Sequence, residues 1–270
     1  IKVDERLNIC MMIYSGSMLR IFPEQGSVNN NWISAADSLA DVPLTGVINI
    51  INEDLKLSEF TYNNILARYL ISITEGSLSD NFAESDKTLG YIESIQRNSN
   101  AAELLPSKSK VNYEIKYNNA KIFVNLRNIY GLLSVILIFL AFIDNLKSKK
   151  NRILSLTLNF FVLVLAVAFV YHTYGLGLRW YLSGHAPWSN GYEALIFIGW
   201  GGLLAGFCFV RYSKITLAAT ALLAFFVLMT AGHSSYDPQL TNLQPVLKSY
   251  WLIIHVAVIT ISYGILGLGF

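Results

Sequence analysis

The distribution of apolar residues changes abruptly near residue 128. From there to its last residue, the chain contains five long apolar runs separated by short polar segments. A helix crosses the hydrocarbon core of a bilayer with about 20 apolar residues, whereas a soluble helix needs a polar face to turn to water. The pattern therefore predicts a mainly α, polytopic bundle of membrane helices in a domain of residues 123–270. The expected spans are about 128–146, 153–172, 192–210, 215–232 and 250–270.

The preceding segment, residues 1–122, mixes polar and apolar positions and is expected to be soluble and mostly helical. Apolar residues recur at helical spacing around 9–19, 60–74 and 79–97, which predicts three helices. Asn31 is expected to cap a further helix over residues 32–39.

Two stretches of the same segment fit more than one element. Residues 42–51 are apolar but too short to assign. Residues 111–117 alternate as in a strand, yet Val111 and Ile115 also lie at the i, i+4 spacing of a helix, and a helix is favoured.

The short loops give the predicted bundle a direction. One side carries six cations: Lys147, Lys149, Lys150, Arg152, Arg211 and Lys214. The other side carries Arg179 and Lys248. Cationic loops stay in the cytoplasm. The loops that follow the second and fourth spans, together with residues 1–122, are therefore expected outside.

Composition limits the classes of function. The chain is 53% hydrophobic and 14% charged with a mean hydropathy of +0.44, and its net charge of +2 gives no indication of a nucleic-acid partner. Cys10 and Cys208 are far apart, so no disulfide framework is expected. Without a CxxCH sequence, the chain does not itself carry covalently attached haem. It begins at Ile1 and stops within an apolar run, and is interpreted as part of a longer protein truncated at its C-terminus.

Polar chemistry concentrates at one end of the predicted bundle. The stretch HTYGLGLRWYLSGHAPWSNGYE, residues 172–193, predicts a loop rich in glycine and aromatic residues. His172 would close the second span, His185 lies in this loop, His233 begins the next loop, and His255 lies inside the fifth span. Four histidines toward one membrane face indicate a haem or metal site. The alternative is the ordinary enrichment of polar and aromatic residues at a membrane interface. Zinc is less favoured, because no two histidines have tight ligand spacing.

His255 is the strongest single candidate for a ligand. An ionisable side chain within a span is costly unless it has a function, and a neutral imidazole can ligate haem iron. Trp251 lies four residues earlier on the same helical face, so His255 is roughly 6 Å deeper. A core histidine bonded to a neighbouring helix is the alternative.

The predicted loop offers three further candidates, His185, Trp188 and Tyr192. Gly184 and Pro187 favour a turn, which could present these side chains to a ligand or could only cap the helix ends. Glu193 suits the start of the following helix, where its negative charge would interact favourably with the helix dipole.

Two segments resemble a known family. RWYLSGHAPWSNGYEALIF, residues 179–197, and LKSYWLIIHVAVITISYG, residues 247–264, look like the haem-handling protein of System II cytochrome c biogenesis, the CcsA or ResC type. VNYEIKYNNAKIF, residues 111–123, is similar to the fused CcsB–CcsA form.

The resemblance implies a function and a site. Such proteins carry haem b outward and attach it to the CxxCH thiols of apocytochrome c, acting as cytochrome c synthases, or haem lyases. The WLIIHV segment implies that His255 is an axial ligand of the haem iron. The GHxPxSNxYE loop implies that His185, Trp188 and Tyr192 lie beside the haem chamber with Trp251. The implied location is the bacterial inner membrane, with the haem site on the periplasmic side. The implied partners are apocytochrome c, the CcsB or ResB half, fused or separate, thiol-reducing proteins and membrane lipid.

The chain departs from the family pattern in two respects. The tryptophan-rich motif WGxxWxWD is absent and would lie beyond Phe270, with the remaining ligand histidines also missing. The chain alone is therefore expected to be inactive. Two rival functions stay open: a membrane electron-transfer subunit that binds haem non-covalently, and a transporter or structural subunit without haem.

Overall fold

The computed structural model describes residues 2–24, 27, 31–37, 61–99, 102–147, 151–233, 236–240, 249–267 and 269. Contacts divide the chain into two compact units, residues 1–107 and 108–270. This division follows contacts within the protein and lies fifteen residues before the predicted start of the membrane domain at residue 123. The position of the membrane boundary itself stays a prediction.

The first unit is small and mostly helical. Its elements are α1 (Lys2–Tyr14), β1 (Phe22–Pro23), β2 (Trp32–Ile33), α2 (Tyr62–Ser79), α3 (Ala83–Arg97) and a 3₁₀ turn (Ala102–Leu104). The helices α2 and α3 confirm two of the predicted helices, and α1 begins and ends earlier than predicted. Phe22, Tyr62 and Ile95 lie in a core to which β1, α2 and α3 all contribute. The N–H of Ser34 donates to the carboxylate of Asp37 at 2.7 Å, which holds the pKa of that carboxyl below its usual range.

The predicted helix after Asn31 is wrong over its described part. Trp32 and Ile33 form a strand antiparallel to β1, with Phe22 opposite Ile33. Aromatic and β-branched residues fit a pleated, half-buried surface, and Phe22 and Ile33 are both buried in the core. The pairing is made with a segment about ten residues away, which local spacing does not reveal. Residues 42–51 lie outside the described residues.

The second unit consists of helices in its described part. They are α4 (Lys108–Ala120), α5 (Ile122–Leu146), α6 (Arg152–Ser183), α7 (Gly191–Phe209), α8 (Lys214–Ala231) and α9 (Tyr250–Leu266). The helix favoured for residues 111–117 is confirmed by α4, which a single left-handed residue, Lys121, separates from α5. The segments containing α5, α6, α7 and α8 are long and apolar enough to cross a membrane, and α9 is a shorter apolar helix of 17 residues. The chain is thus a polytopic helical membrane protein.

Close approach of backbones holds the bundle together around α7, which packs against both α8 and α9. A Cβ atom added at Gly264 of α9 would meet the carbonyl oxygen of Ile198 at 2.6 Å. One added at Gly206 of α7 would meet the hydroxyl of Thr220 on α8 at 2.2 Å. Small residues permit such contacts between membrane helices, where dispersion replaces the hydrophobic effect as the driving force.

The helix α6 is longer than predicted, and the expected loop from His172 to Ser183 is wrong. Its 32 residues rise about 48 Å, more than the roughly 30 Å of a hydrocarbon core. The helix ends at Ser183, where Gly184 adopts a left-handed φ of 74° and donates its N–H to the carbonyl of Trp180. The connection to α7 is therefore residues 184–190 only, and His172 lies well inside α6.

Candidate functional site at the helix ends around His185

A buried ion pair organises the end of the bundle where α6 ends and α7 begins, here called the His185 end. Nε of Arg179 on α6 lies 2.8 Å from Oε1 of Glu193 on α7, and both side chains are fully buried. The ring of Tyr192 lies 5.2 Å from the Arg179 guanidinium. Buried charges are retained where they are paired and hydrogen-bonded, so this pair marks a place where geometry is tightly held.

Arg179 joins segments that are distant in sequence. Its Nη1 donates to the hydroxyl of Tyr117 on α4 at 3.2 Å and to the carbonyl of Pro238 at 2.8 Å. Its Nη2 donates to the carbonyl of Gln239 at 2.9 Å. Because Pro238 and Gln239 follow α8, one guanidinium fixes α4, α6 and the chain between α8 and α9.

Glu193 in turn fixes the loop between α6 and α7. Its Oε2 accepts the N–H of Ser189 at 2.8 Å, while its own N–H donates to the side chain of Asn190, the N-cap of α7. The predicted dipole role of Glu193 therefore describes only part of what this carboxylate does. An arginine and a glutamate between apolar helices could have indicated an ion pair from the sequence. The two residues are fourteen positions apart, so local spacing did not reveal that they contact each other.

Two of the predicted site residues are buried among the protein's own groups. His185 is 8% exposed, and its Nδ1 lies 3.1 Å from the carbonyl oxygen of Ala186. Tyr192 is also 8% exposed and contacts the ring of Phe123 edge-on, in addition to Arg179. These two side chains pack against the protein's own residues and present little surface to a ligand.

Trp188 connects the loop to α9. Its ring stacks on Phe197 of α7 at 4.6 Å between centroids. Its Nε1–H donates to the carbonyl of Ile253 at 3.2 Å. Ile253 lies two residues before His255, so the loop directly touches the turn of α9 that carries the predicted ligand.

The structure leaves the predicted ligand face of α9 open. Trp251 is 77% exposed, His255 is exposed, and Val258 one turn further is 63% exposed. The opposite face, with Thr260 and Gly264 buried, packs toward α7. Trp251 and His255 thus share one face of α9, opposite the face that packs toward α7.

His172 differs from the other histidines. It is fully buried in α6, with Nδ1 3.2 Å from the hydroxyl of Tyr130 on α5 and the ring of Phe123 edge-on at 5.5 Å. Its Nε2 makes no hydrogen bond with the described residues. His172 does not lie at the end of its helix, because α6 continues past it for eleven residues. Its position relative to the membrane interface stays a prediction.

The four histidines lie in different parts of the membrane unit. His172 lies in the core, His185 in the loop, His233 just after α8 and His255 on the open face of α9. Within the described ranges, no group of three or more histidine, cysteine or acidic side chains could hold a metal ion.

Comparison with known proteins gives the family. Residues 188–270 match the model of the cytochrome c assembly protein family. The chain is 35% identical over 273 residues to protein NrfI of Wolinella succinogenes, covering all of this chain and 28% of NrfI. It is 31% identical over 153 residues to the cytochrome c biogenesis protein CcsA of Prochlorococcus marinus, covering 54% of this chain and 45% of that protein. It is 39% identical over 102 residues to CcsA of Chlorella vulgaris, covering 36% of this chain and 32% of that protein.

These matches confirm the resemblance to CcsA-type cytochrome c biogenesis proteins. The family match covers α9 and its link to Trp188. The similarity to NrfI extends through the first unit as well. The chain spans less than half the length of these curated relatives.

Proposed function

We propose that this chain is the part of a cytochrome c synthase that holds haem b through His255 while haem is attached to apocytochrome c. The observation that carries the proposal is the open imidazole of His255 on α9, one turn below the exposed Trp251. The hydrogen bond from Trp188 to Ile253 supports it, because that bond fixes the height of this turn against the loop.

The residues present fit a haem. An axial ligand needs an accessible neutral imidazole nitrogen, and a porphyrin needs apolar and aromatic surface around it. His255 is exposed, and Trp251 and Val258 flank it on the same face. His172 does not fit in the arrangement described, because it is fully buried in α6 against Phe123 and Tyr130 of α5.

The chain's own contribution would be positional. His255 would bind and orient the iron, and Trp251 would cover the porphyrin edge and limit access of water. The Trp188 and Arg179–Glu193 contacts would hold that face in place. When bound, haem supplies its two vinyl groups, and each CxxCH thiol adds across one of them, sulfur to one carbon and hydrogen to the other. Thiols must be reduced to react, and holding the partners together lowers the barrier by proximity.

Orientation follows from charge. Arg179 belongs to a buried ion pair rather than to a loop. Of the two cations first assigned to the His185 end, only Lys248 remains in a connecting segment. The short loops between the spans keep their cation bias toward the opposite end, which supports the His185 end, and the haem with it, on the periplasmic side of a bacterial inner membrane. Apocytochrome c would meet the haem there, together with the CcsB-type half and thiol-reducing proteins.

The test replaces His255 in the full-length protein. His255→Ala should leave membrane insertion intact, abolish cytochrome maturation and change the haem spectrum. Ile254→Ala, at the adjacent exposed position of α9, is the matched control and should keep both readouts. His255→Gly should regain part of the yield when imidazole is added, because free imidazole can fill the space and ligate iron. An unchanged spectrum and normal yield in His255→Ala would exclude this ligand.

A further inference from the structure

A polar cavity lies at the opposite end of the membrane unit, here called the Arg211 end, where α5 and α7 end and α6 and α8 begin. Its volume is about 270 Å³. Leu158, Ser155 and Ser213 are among the residues that line it. The cavity is open to its surroundings rather than enclosed, so a group from outside the bundle can occupy it.

The cavity holds charges of both signs. Arg211 lies in the connection between α7 and α8, and Lys214 is the first residue of α8. Asp144 lies near the end of α5. Lys214 donates to the side chain of Asn159 at 2.7 Å, which leaves two of its three ammonium hydrogens. Neither Arg211 nor Asp144 makes an ion pair or hydrogen bond with another described residue.

The position of the cavity along the helices suits a lipid headgroup. It is bounded by the last turn of α5 and the first turns of α6 and α8, so it coincides with the ends of three apolar helices. Helix ends of membrane spans meet the headgroup layer, and basic pockets between helices on the cytoplasmic side of a membrane bind the phosphates of anionic lipid headgroups. The neighbouring loops add Lys147, Lys149 and Lys150 to the sequence at this end.

We infer that this cavity binds the headgroup of a phospholipid that carries both a phosphate and an ammonium group, that is, a phosphatidylethanolamine. The phosphate would contact Arg211 and Lys214, for which guanidinium and ammonium donors are suited. The ammonium would contact Asp144, whose carboxylate repels a purely anionic headgroup. The acyl chains would lie along the exposed apolar sides of the helices. The inference requires only the membrane placement of the bundle and is independent of haem chemistry.

Lipid retention measures this directly. The full-length protein is placed in nanodiscs with equal amounts of phosphatidylethanolamine and phosphatidylglycerol of identical acyl chains. It is then extracted into mild detergent, and the bound lipids are counted by native mass spectrometry. The expected result is preferential retention of phosphatidylethanolamine. Arg211→Gln should lower that retention about fivefold, which is the effect of one interfacial cation. Asp144→Asn should remove the preference and raise retention of phosphatidylglycerol.

Controls separate this site from general surface charge. Arg152→Gln removes an exposed cation at the same end that does not line the cavity, and should leave retention unchanged. Helicity and size-exclusion behaviour identify a misfolded variant, in which case Lys214→Gln replaces Arg211→Gln.

Three results would overturn the inference. The first is equal retention in wild type and Arg211→Gln, and the second is an intact lipid preference in Asp144→Asn. The third is displacement of the lipid by inorganic phosphate as effectively as by glycerophosphoethanolamine, which would make the cavity a free-phosphate site.

Discussion

The ion pair between Arg179 and Glu193 makes a quantitative prediction about stability. Both side chains are fully buried, and they are joined at 2.8 Å. We compare Arg179→Met, Glu193→Gln and the double variant. Met keeps much of the volume of the arginine stem, and Gln keeps the shape of Glu193 while removing its charge.

The expected order of stability among these variants follows from charge rather than from the number of contacts. Removing one partner of a buried pair costs about 3–5 kcal/mol, because the other charge is left without a counter-charge. In Arg179→Met the Glu193 carboxylate keeps the N–H of Ser189 as a donor but loses its cation. Adding Glu193→Gln removes that charge, so the double variant should regain at least about 1 kcal/mol over Arg179→Met. Pro238 and Gln239 also lose a donor, but both residues are exposed and water can replace it.

The assay is reversible unfolding of the membrane unit. Purified variants in mild detergent are titrated with SDS, and the loss of helicity gives the free energy of unfolding. Arg152→Met removes an exposed cation of the same unit and should change that free energy by no more than about 0.5 kcal/mol. If the losses in unfolding free energy from the two substitutions simply add, the double variant will be less stable than Arg179→Met. That result would show that the two charges are not coupled and would refute the prediction.

Three further predictions concern the two ends of the bundle. Trp188→Phe keeps the ring stack but loses the hydrogen bond to the carbonyl of Ile253, which is worth about 1 kcal/mol, so haem occupancy should fall. The control Trp200→Phe loses only a hydrogen bond to the hydroxyl of Thr173 and should not lower haem occupancy. In a protein without its native cysteines, an impermeant thiol reagent should label Tyr181→Cys from outside and spare Tyr212→Cys, both exposed positions; the reverse pattern would invert the orientation. His172→Leu should keep a normal haem spectrum and cytochrome yield, and lost haem in that variant would favour the electron-transfer alternative.

Local composition was sufficient to predict the membrane helices. A run of about 20 apolar residues has few alternatives, because a bilayer offers no hydrogen bonds to an open backbone. The helices α7 and α8 therefore begin and end within two residues of the predicted spans. The WLIIHV segment also makes His255 the candidate ligand, since a histidine among apolar residues stands out along the chain without any knowledge of packing.

Other features depended on contacts between distant residues. Glycines and aromatics after His172 suggested a loop, but packing kept α6 helical until Gly184, where a left-handed backbone ends it. Asn31 is a typical helix-capping residue, yet the two residues after it, Trp32 and Ile33, form a strand that pairs with β1. That pairing buries Phe22 and Ile33 in the core.

The tertiary structure also decided which polar groups are available. His172 and His255 both lie in apolar helices, but only packing shows that the first is enclosed and the second open. Arg179 has the sequence context of a loop cation, and Glu193 that of a dipole residue, but the two helices bring them to 2.8 Å. Hydropathy is a property of each residue and its neighbours along the chain, so the sequence alone determined where the helices run. Burial and ion pairing depend on which helix faces meet, and that is set by the small residues and close contacts of the folded bundle.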